Sequence, residues 1–470
     1  LDAATPAGKF FYRPLGWAYC RSVFALFGLQ PIGFHVCAIV LLVLSALLVV
    51  SIARKLTGDE RVSWGSGFIF AAASNIHLDP QMWLVGAYDI GAVLFSLLCI
   101  NAFLAKRYGV SALWFAAALG FKETGAMLLF VLAVGALLNG DRDAPAMRPF
   151  RRLFARLRWH ALALILFLVA RIAGQSLFAL PETHPYAARL AGIHIGTNFQ
   201  RYALWGLQAV TPLKNIAFSE YGAIMTLFLL TTALVLVFIS GVRHFAGRGK
   251  EGDGPVVYAV FVLAWFFLML YPPLTLKHQI NRYYFIAALP PLAIGTMLLF
   301  KVTILNAGKR ARLMIYATIA FVAVNVIDGG VSNYRRAALG VMDGIHASGR
   351  EGDKNLVRKA ATVRNAWKPL LAVLPAVPPH SLVVVEGVET SCFGDNDGIQ
   401  VWYGDSTLTV TNSVPEGPDS LGMLHAAIAV DDPWTSPAPT VVKLFPASRT
   451  IRVRRTADGM VLIRNGSTSK

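Results

Sequence analysis

Long apolar runs recur through the first 330 residues of this 470-residue chain, and they limit its fold more than any other feature. A helix needs about 20 apolar residues to cross the roughly 30 Å hydrocarbon core of a bilayer. Charged residues make up only 15% of the chain, whereas soluble domains carry about a quarter. We therefore predict a polytopic α-helical membrane protein of about ten spans. The predicted spans are residues 32–53, 62–76, 87–105, 110–121, 123–139, 159–180, 220–242, 255–273, 284–302 and 312–328.

Lysine and arginine mark every second loop between these runs, after the first, third, fifth, seventh and ninth. Such loops are typically cytoplasmic, and all five fall on one side if the ten spans alternate. The loops explain the net charge of +17. No basic tract is interleaved with aromatic residues as a nucleic-acid surface would require, so no nucleic acid is expected as a partner. The predicted extracytoplasmic set is residues 1–31, 76–88, around 122, 181–219, 274–283 and everything after 328.

The composition changes after residue 328, where short β-like runs such as SLVVVEG, IQVWYG, TLTVTN, AAIAV and TIRVRR follow one another between Gly, Pro and Asp turns. We therefore predict three regions. Residues 1–31 form an external interfacial amphipathic segment, residues 32–328 a transmembrane helical bundle, and residues 329–470 an extracytoplasmic β-rich or α+β domain.

An acidic segment without lysine or arginine, SNIHLDPQMWLVGAYD, joins the second and third runs. His77 and Asp79 are two residues apart, which in an extended loop points both side chains the same way. Such a pair can orient an acceptor hydroxyl for deprotonation. A divalent metal is left open, because one Asp and one His are too few ligands to assert it. Asp89 begins the third run, where a carboxylate favours a helix N-terminus, and we interpret it mainly as a cap.

The segment LKHQINRYYF before the ninth run breaks the basic pattern, because it places Lys277, His278 and Arg282 on the predicted external side. Cations at that boundary suit a lipid phosphate, and arginine binds phosphate as a planar fork. The two tyrosines that follow, Tyr283 and Tyr284, fit an interfacial aromatic belt equally well.

Lys122 and Glu123 stand between two short apolar runs in GFKETG. Charges near hydrocarbon are costly unless they are satisfied. They are therefore either substrate contacts or a mutual ion pair that stabilises a broken helix. Near the start of the chain, Arg13, Trp17 and Phe24 belong to an amphipathic pattern. It predicts an interfacial helix that could guide a lipid-linked substrate into the bundle.

These segments resemble polytopic glycosyltransferases of the GT-C class, including protein O-mannosyltransferase-like and tetratricopeptide-linked O-mannosyltransferase-like enzymes. FYRPL, LFGLQPIGFH and a run ending in ARKLTG look like the start of that family. The next family block, roughly HPVHVEAVAWISGRTD, is similar to SNIHLDPQMWLVGAYD, with His77, Asp79 and Asp89 at matching positions. The family's SKE and DRYxY elements are similar to the segments around Lys122 and Arg282, although Asn281 replaces the acid.

The resemblance implies transfer of a sugar from a polyprenyl-phosphate donor to a glycan, lipid or protein acceptor outside the cell. Asp79 and His77 are then catalytic candidates. The substrate-binding candidates are Arg282, Lys277, His278, Lys122, Glu123, Arg13 and Tyr12. The family also uses an aspartate upstream of YRPL, so we expect an N-terminal segment to be missing from this sequence.

The localisation implied is a bacterial inner membrane, with the active face and the C-terminal domain periplasmic. Two other classes stay open. A transporter or flippase for lipid-linked sugar predicts internal repeats, and none is evident. A non-catalytic subunit of an envelope complex would have a similar sequence.

Overall fold

The computed structural model describes residues 12–28, 30–82, 86–138, 149–173, 188–210, 254–277 and 282–304, scattered positions from 316 to 327, and parts of 370–463. Contacts divide the chain into two compact units. The first is Phe10–Ser332, and the second contains Asn333–Lys470.

The first unit is mainly helical in its described residues, which also include short connections and one β-bridge between Ala188 and Leu276. Its α-helices are α1 (Pro14–Phe27), α2 (Pro31–Thr57), α3 (Glu60–Ala72), α4 (Ser74–Met82), α5 (Ala87–Leu104), α6 (Tyr108–Phe121), α7 (Leu128–Leu138), α8 (Pro149–Ala173), α9 (Ile193–Val210), α10 (Gly254–Leu274) and α11 (Leu289–Ile304). Two 3₁₀ helices, Glu123–Met127 and Arg282–Ala287, precede α7 and α11.

Four stretches of the described helices are long and apolar enough to cross a membrane. They are Ile32–Thr57, Ala87–Leu104, Leu153–Ala173 and Val257–Leu274. These stretches overlap the predicted runs at 32–53, 87–105, 159–180 and 255–273. Shorter apolar helices occupy the runs at 110–121, 123–139 and 284–302. The run at 220–242 and much of 312–328 lie outside the described residues, so the count of about ten spans stays a prediction.

The second predicted run, 62–76, is interrupted after α3. Asp59 fixes where α3 begins, because its carboxylate accepts hydrogen bonds from the backbone N–H groups of Arg61 and Val62. The residues after Ala73 form α4, so the extended conformation predicted for the segment around His77 is wrong. A helix satisfies its own backbone groups, which an extended strand beside hydrocarbon would leave without partners.

The helices pack closely, with α5 against α2 and α6, and α10 against α7 and α11. Glycines allow some of these approaches. A Cβ at Gly91 would meet the ring of Phe121, and one at Gly67 would meet the side chain of Val50. By contrast, only 11% of the apolar window of α8 is buried within the protein. An exposed apolar surface of this kind suits contact with lipid.

Basic loops gather at one end of the helical unit. The Lys301 ammonium at the end of α11 lies 3.0 Å from the carboxylate of Asp59, which follows α2. Lys55 donates a hydrogen bond to the carbonyl of Asn101 near the end of α5. Burial alone would raise the pKa of the Asp59 carboxyl. Lys301 and the backbone N–H groups of Arg61 and Val62 lower the pKa by more, so the net shift is downward. This grouping agrees with the alternation of basic loops, and their assignment to the cytoplasm stays a prediction.

The described strands lie in the second unit. They are β1 (Leu382–Glu386), β2 (Thr409–Thr411), β3 (Met423–Ala429), β4 (Thr440–Pro446), β5 (Thr450–Thr456) and β6 (Gly459–Ile463). One sheet has the order β2-β1-β5-β6. In it β1 is parallel to β2 and β5, and β6 is antiparallel to β5.

Strands β3 and β4 form a separate antiparallel pair. Strands β1, β2, β3 and β5 coincide with runs read from the sequence, whereas IQVWYG lies outside the described residues. The predicted boundary at residue 329 and the extracytoplasmic location of this region stay predictions.

Candidate functional site

A nearly buried ion pair lies at the end of the helical unit opposite the basic loops. The Lys122 ammonium, just after α6, is 2.5 Å from Oδ1 of Asp89 in the first turn of α5. The two side chains are 7% and 10% exposed. Burial lowers the pKa of the Lys122 ammonium, although the Asp89 carboxylate opposes that shift. Asp89 is therefore more than a helix cap, because it neutralises a lysine that water scarcely reaches.

A second ion pair joins Glu123 to Arg13. The guanidinium donates two hydrogen bonds, from Nε at 3.0 Å and from Nη2 at 2.7 Å, one to each carboxylate oxygen. This forked geometry is the strong form of an arginine–carboxylate pair. The mutual Lys122–Glu123 pair considered from the sequence is therefore wrong. Each residue instead binds a partner from another part of the chain.

The backbone at Lys122 explains why neighbouring side chains reach different partners. Lys122 is extended, with φ −157° and ψ 136°, between the end of α6 and the 3₁₀ helix Glu123–Met127. Successive side chains on extended backbone point to opposite sides. Lys122 can thus point to α5 while Glu123 points to the residue preceding α1. Gly125 allows the tight turn, because a Cβ there would lie 3.1 Å from the Ala118 backbone.

Two tyrosines lie beside Lys122. Its Nζ is 4.6 Å from the ring centre of Tyr284 and 6.0 Å from that of Tyr283. The Tyr283 hydroxyl donates to the Tyr284 hydroxyl at 3.1 Å. Tyr283 is only 6% exposed. An interfacial aromatic belt facing lipid therefore does not describe Tyr283.

Arg282 begins the same 3₁₀ helix, and its guanidinium lies 5.7 Å from the ring centre of Trp205 in α9. Within the described part of the chain, Arg282 has no carboxylate partner. It differs in this from Arg13 and Lys122, whose charges are already neutralised. Its charge is therefore not neutralised within the described part of the chain, and Arg282 can accept an external anion. Nothing in the sequence marks Trp205 as its neighbour, since 77 positions separate the two residues.

His77 and Asp79 are not arranged as a ligand pair. Residues two apart on a helix differ by about 200° in direction, so the shared orientation predicted for an extended loop is lost. His77 is buried, and its Nε2 donates a hydrogen bond of 2.6 Å to the carbonyl of Phe70. Asp79 lies within α4, and its side chain is outside the described residues. Their catalytic roles stay predictions.

The remaining candidates are spread around this end. Lys277 is exposed, and His278 lies outside the described residues. The ring of Tyr12 packs against Phe167, with 5.8 Å between ring centres. Among the described residues, no group of three or more His, Cys, Asp or Glu side chains is placed to hold a metal ion.

These features define a helical membrane protein in which the two ion pairs of Lys122 and Glu123, together with Arg282, lie at one end of the helical unit (the charged end), and the basic loops lie at the other. Over 135 residues the chain is 32% identical to the human protein O-mannosyl-transferase TMTC2. The shared stretch covers 26% of this chain and 16% of the human protein. No protein family and no solved structure matches the chain. The chain is thus similar, over part of its length, to a glycosyltransferase.

Proposed function

We propose that this protein is a membrane glycosyltransferase. It would move a sugar from a polyprenyl-phosphate-linked donor to an acceptor on the extracytoplasmic face. The observation that carries the proposal is the position of Arg282, a cation without a carboxylate partner among the described residues, at the same end of a membrane-type bundle as the buried pair of Lys122 and Asp89. The partial similarity to a protein O-mannosyl-transferase supports the reaction class.

The proposed step is a direct displacement. An acceptor hydroxyl oxygen attacks the anomeric carbon of the sugar and forms the new C–O bond. The bond from that carbon to the phosphate oxygen breaks, and its electron pair leaves with polyprenyl phosphate. A carboxylate takes the hydroxyl proton. Positive charge develops on the sugar and negative charge on the phosphate, so the site needs carboxylates near the first and cations near the second.

Arg282 is proposed to bind the leaving phosphate, because a guanidinium matches phosphate oxygens as a fork. Lys277 or His278, from the same segment, would assist Arg282 in holding the phosphate. A phosphate leaving group needs little protonation, so the donor side needs no carboxylic acid. On the acceptor side we assign the role of proton acceptor to Asp79, with His77 two residues before it in the sequence.

Lys122, Glu123 and Arg13 are proposed to shape the wall of the site. Each already binds an oppositely charged partner within hydrogen-bonding distance. Direct substrate binding by any of them would require breaking a pair that is largely removed from water, which is costly. Tyr12, next to Arg13, would line the same wall.

The partners of this function are the bilayer, the lipid-linked donor, and a glycan, lipid or protein acceptor. We propose a bacterial inner membrane with the active face periplasmic. The grouping of basic loops at the other end of the bundle supports that orientation.

The test uses the full-length protein in membranes supplied with a labelled polyprenyl-phosphate sugar. Arg282→Ala should reduce sugar transfer by about 100-fold or more, as expected when a charge-stabilising group is removed. Asp79→Ala should also reduce transfer strongly. Arg54→Ala, in an exposed ion pair at the opposite end, serves as the matched loss of an arginine. Normal transfer by both site variants would contradict the assignment. Movement of lipid-linked sugar without covalent transfer would favour the transporter class.

A further inference from the structure

We propose that Lys122 is a positioning residue that fixes the direction of Arg282, acting through the rings of Tyr284 and Tyr283. The proposal rests on the proposed function, in which Arg282 binds the donor phosphate. It gives the buried lysine a role that neither its ion pair with Asp89 nor its position in the sequence assigns.

The ammonium of Lys122 is held in place by its ion pair with Asp89. It lies 2.5 Å from Asp89, in the first turn of α5, and follows directly after α6. These two helices pack extensively on one another. Because the lysine side chain is 7% exposed, water cannot replace Asp89 as its partner without opening the bundle. The ammonium therefore keeps one position relative to α5 and α6.

The ammonium in turn contacts the face of the Tyr284 ring. Its Nζ is 4.6 Å from the centre of the Tyr284 ring, within the range of a cation–π contact, which strengthens when water is excluded. The Tyr284 ring in turn packs against the Tyr283 ring, with 4.4 Å between the two ring centres, a contact that does not need the Tyr284 hydroxyl. The position of the ion pair is thereby passed to two consecutive side chains of the 3₁₀ helix Arg282–Ala287.

That 3₁₀ helix depends on its neighbours for its orientation. It is six residues long, and short 3₁₀ segments have few and poorly aligned internal hydrogen bonds. Phe285 anchors one side, since it is fully buried and its ring lies 6.2 Å from that of Tyr202, nearly parallel to it. Lys122 holds the two tyrosines. Arg282 precedes them directly, with its guanidinium over Trp205.

The consequence is a preorganised cation. Donors already aimed at the place where charge develops stabilise a transition state without reorganising during the reaction. Without the Lys122 contact, Arg282 would keep its charge but lose its fixed direction. Donor binding and transfer would then suffer even though no group that touches the donor had been removed.

The experiment compares Tyr284→Leu with Tyr284→Phe in the full-length protein. Leucine removes the π face that Lys122 contacts, whereas phenylalanine keeps it. We expect Tyr284→Leu to raise KM for a polyprenyl-phosphate sugar by about 10-fold. In Tyr284→Phe, KM should stay within about 2-fold of the value of the original protein. The double variant Lys122→Met/Asp89→Leu removes the fixed ammonium without leaving a buried carboxylate alone. It should behave like Tyr284→Leu.

A second readout needs no sugar transfer. Arginine modification by phenylglyoxal, followed at Arg282 by peptide mass spectrometry, reports how firmly that side chain is held. Its rate should rise about 3-fold or more in Tyr284→Leu and stay at the original value in Tyr284→Phe. Arg54 supplies the internal reference. Equal Arg282 rates in the two variants would overturn the positioning role, whether or not the protein transfers sugar.

The two proposals fail in different ways. If Arg282→Ala abolishes transfer while Tyr284→Leu leaves both KM and the Arg282 modification rate unchanged, only the positioning role is wrong. If Arg282→Ala leaves transfer unchanged, the phosphate site itself is wrong, and the modification rates still decide whether Lys122 orders Arg282.

Discussion

At the scale of single residues, the pairing of Lys122 with Asp89 dominates the charged end of the bundle. Replacing Lys122 by Ala would leave a carboxylate that is 10% exposed without its cation. We expect this change to lower the free energy of unfolding by about 3–5 kcal/mol, as found when one partner of a buried pair is removed. The double variant Lys122→Met/Asp89→Leu should recover most of that loss. Thermal unfolding in detergent micelles measures both.

The matched control is Arg54→Ala, because Arg54 and Glu60 form an ion pair whose side chains are 48% and 60% exposed. Exposed pairs contribute about 0–1 kcal/mol. A loss in Arg54→Ala as large as that in Lys122→Ala would show that burial does not set the cost.

The choice of ionic partners could not be predicted from local sequence. Lys122 and Glu123 are adjacent, so an ion pair between them was the simplest arrangement. Instead, Glu123 binds a residue 110 positions away and Lys122 binds one 33 positions away. An extended residue between two helices turns adjacent side chains apart, and the packing of α1 and α5 decides what they meet. Asp89 could have been found through the sequence resemblance, which already placed an aspartate there.

At the scale of helices, α6 and α8 are joined by a buried polar contact. Oγ of Ser111 in α6 lies 2.8 Å from Nε2 of His160 in α8, and both side chains are fully buried. Ser111→Ala should lower the free energy of unfolding by about 1–3 kcal/mol, because a buried polar atom loses its partner. Ser45→Ala is the control. Ser45 is equally buried, but within the described part of the chain its hydroxyl donates only to the Leu41 carbonyl of its own helix. Equal losses would mean that the contact between helices contributes nothing.

The approach of α5 to α6 depends on Gly91. A Cβ at that position would lie 2.2 Å from the ring of Phe121. Gly91→Ala should therefore cost about 1–3 kcal/mol through overpacking. Gly109, in α6, has open space where its Cβ would lie, so Gly109→Ala should be neutral or stabilising. Chemical unfolding in mixed micelles distinguishes them, and a stable Gly91→Ala variant would mean that the two helices separate easily.

The helices themselves were largely predictable, because apolar length and basic loops report directly on a bilayer. The segment around His77 is the exception. It is polar enough to suggest a loop, yet it is helical, since its place beside the bundle favours internal backbone hydrogen bonds. The sequence analysis assumed the two-residue repeat of an extended chain, whereas a helix repeats every 3.6 residues. The side chains of His77 and Asp79 therefore do not share the direction that was expected for them.

At the scale of the whole molecule, the two ends of the helical unit should face different compartments. Single cysteines at Glu60 and at Ile193, in a background without the four native cysteines, test this directly. Ile193 is 93% exposed. A membrane-impermeant thiol reagent should label Ile193→Cys in intact cells and label Glu60→Cys only after the cells are opened. The reverse pattern would place the charged end in the cytoplasm and contradict the proposed face of sugar transfer.

The short helices around the charged end have a consequence for the membrane itself. Helices α3, α6, α7 and α11 have 13, 14, 11 and 16 residues, which at about 1.5 Å per residue reach only about 17–24 Å. A bilayer core is about 30 Å thick, so hydrophobic mismatch should thin the lipid beside them. Headgroups and water would then descend toward Lys122 and Arg282. In the proposed function, a lipid-anchored donor and a water-borne acceptor could meet there without either one leaving its own phase, and the rate of transfer would then depend on the acyl-chain length of the surrounding lipids.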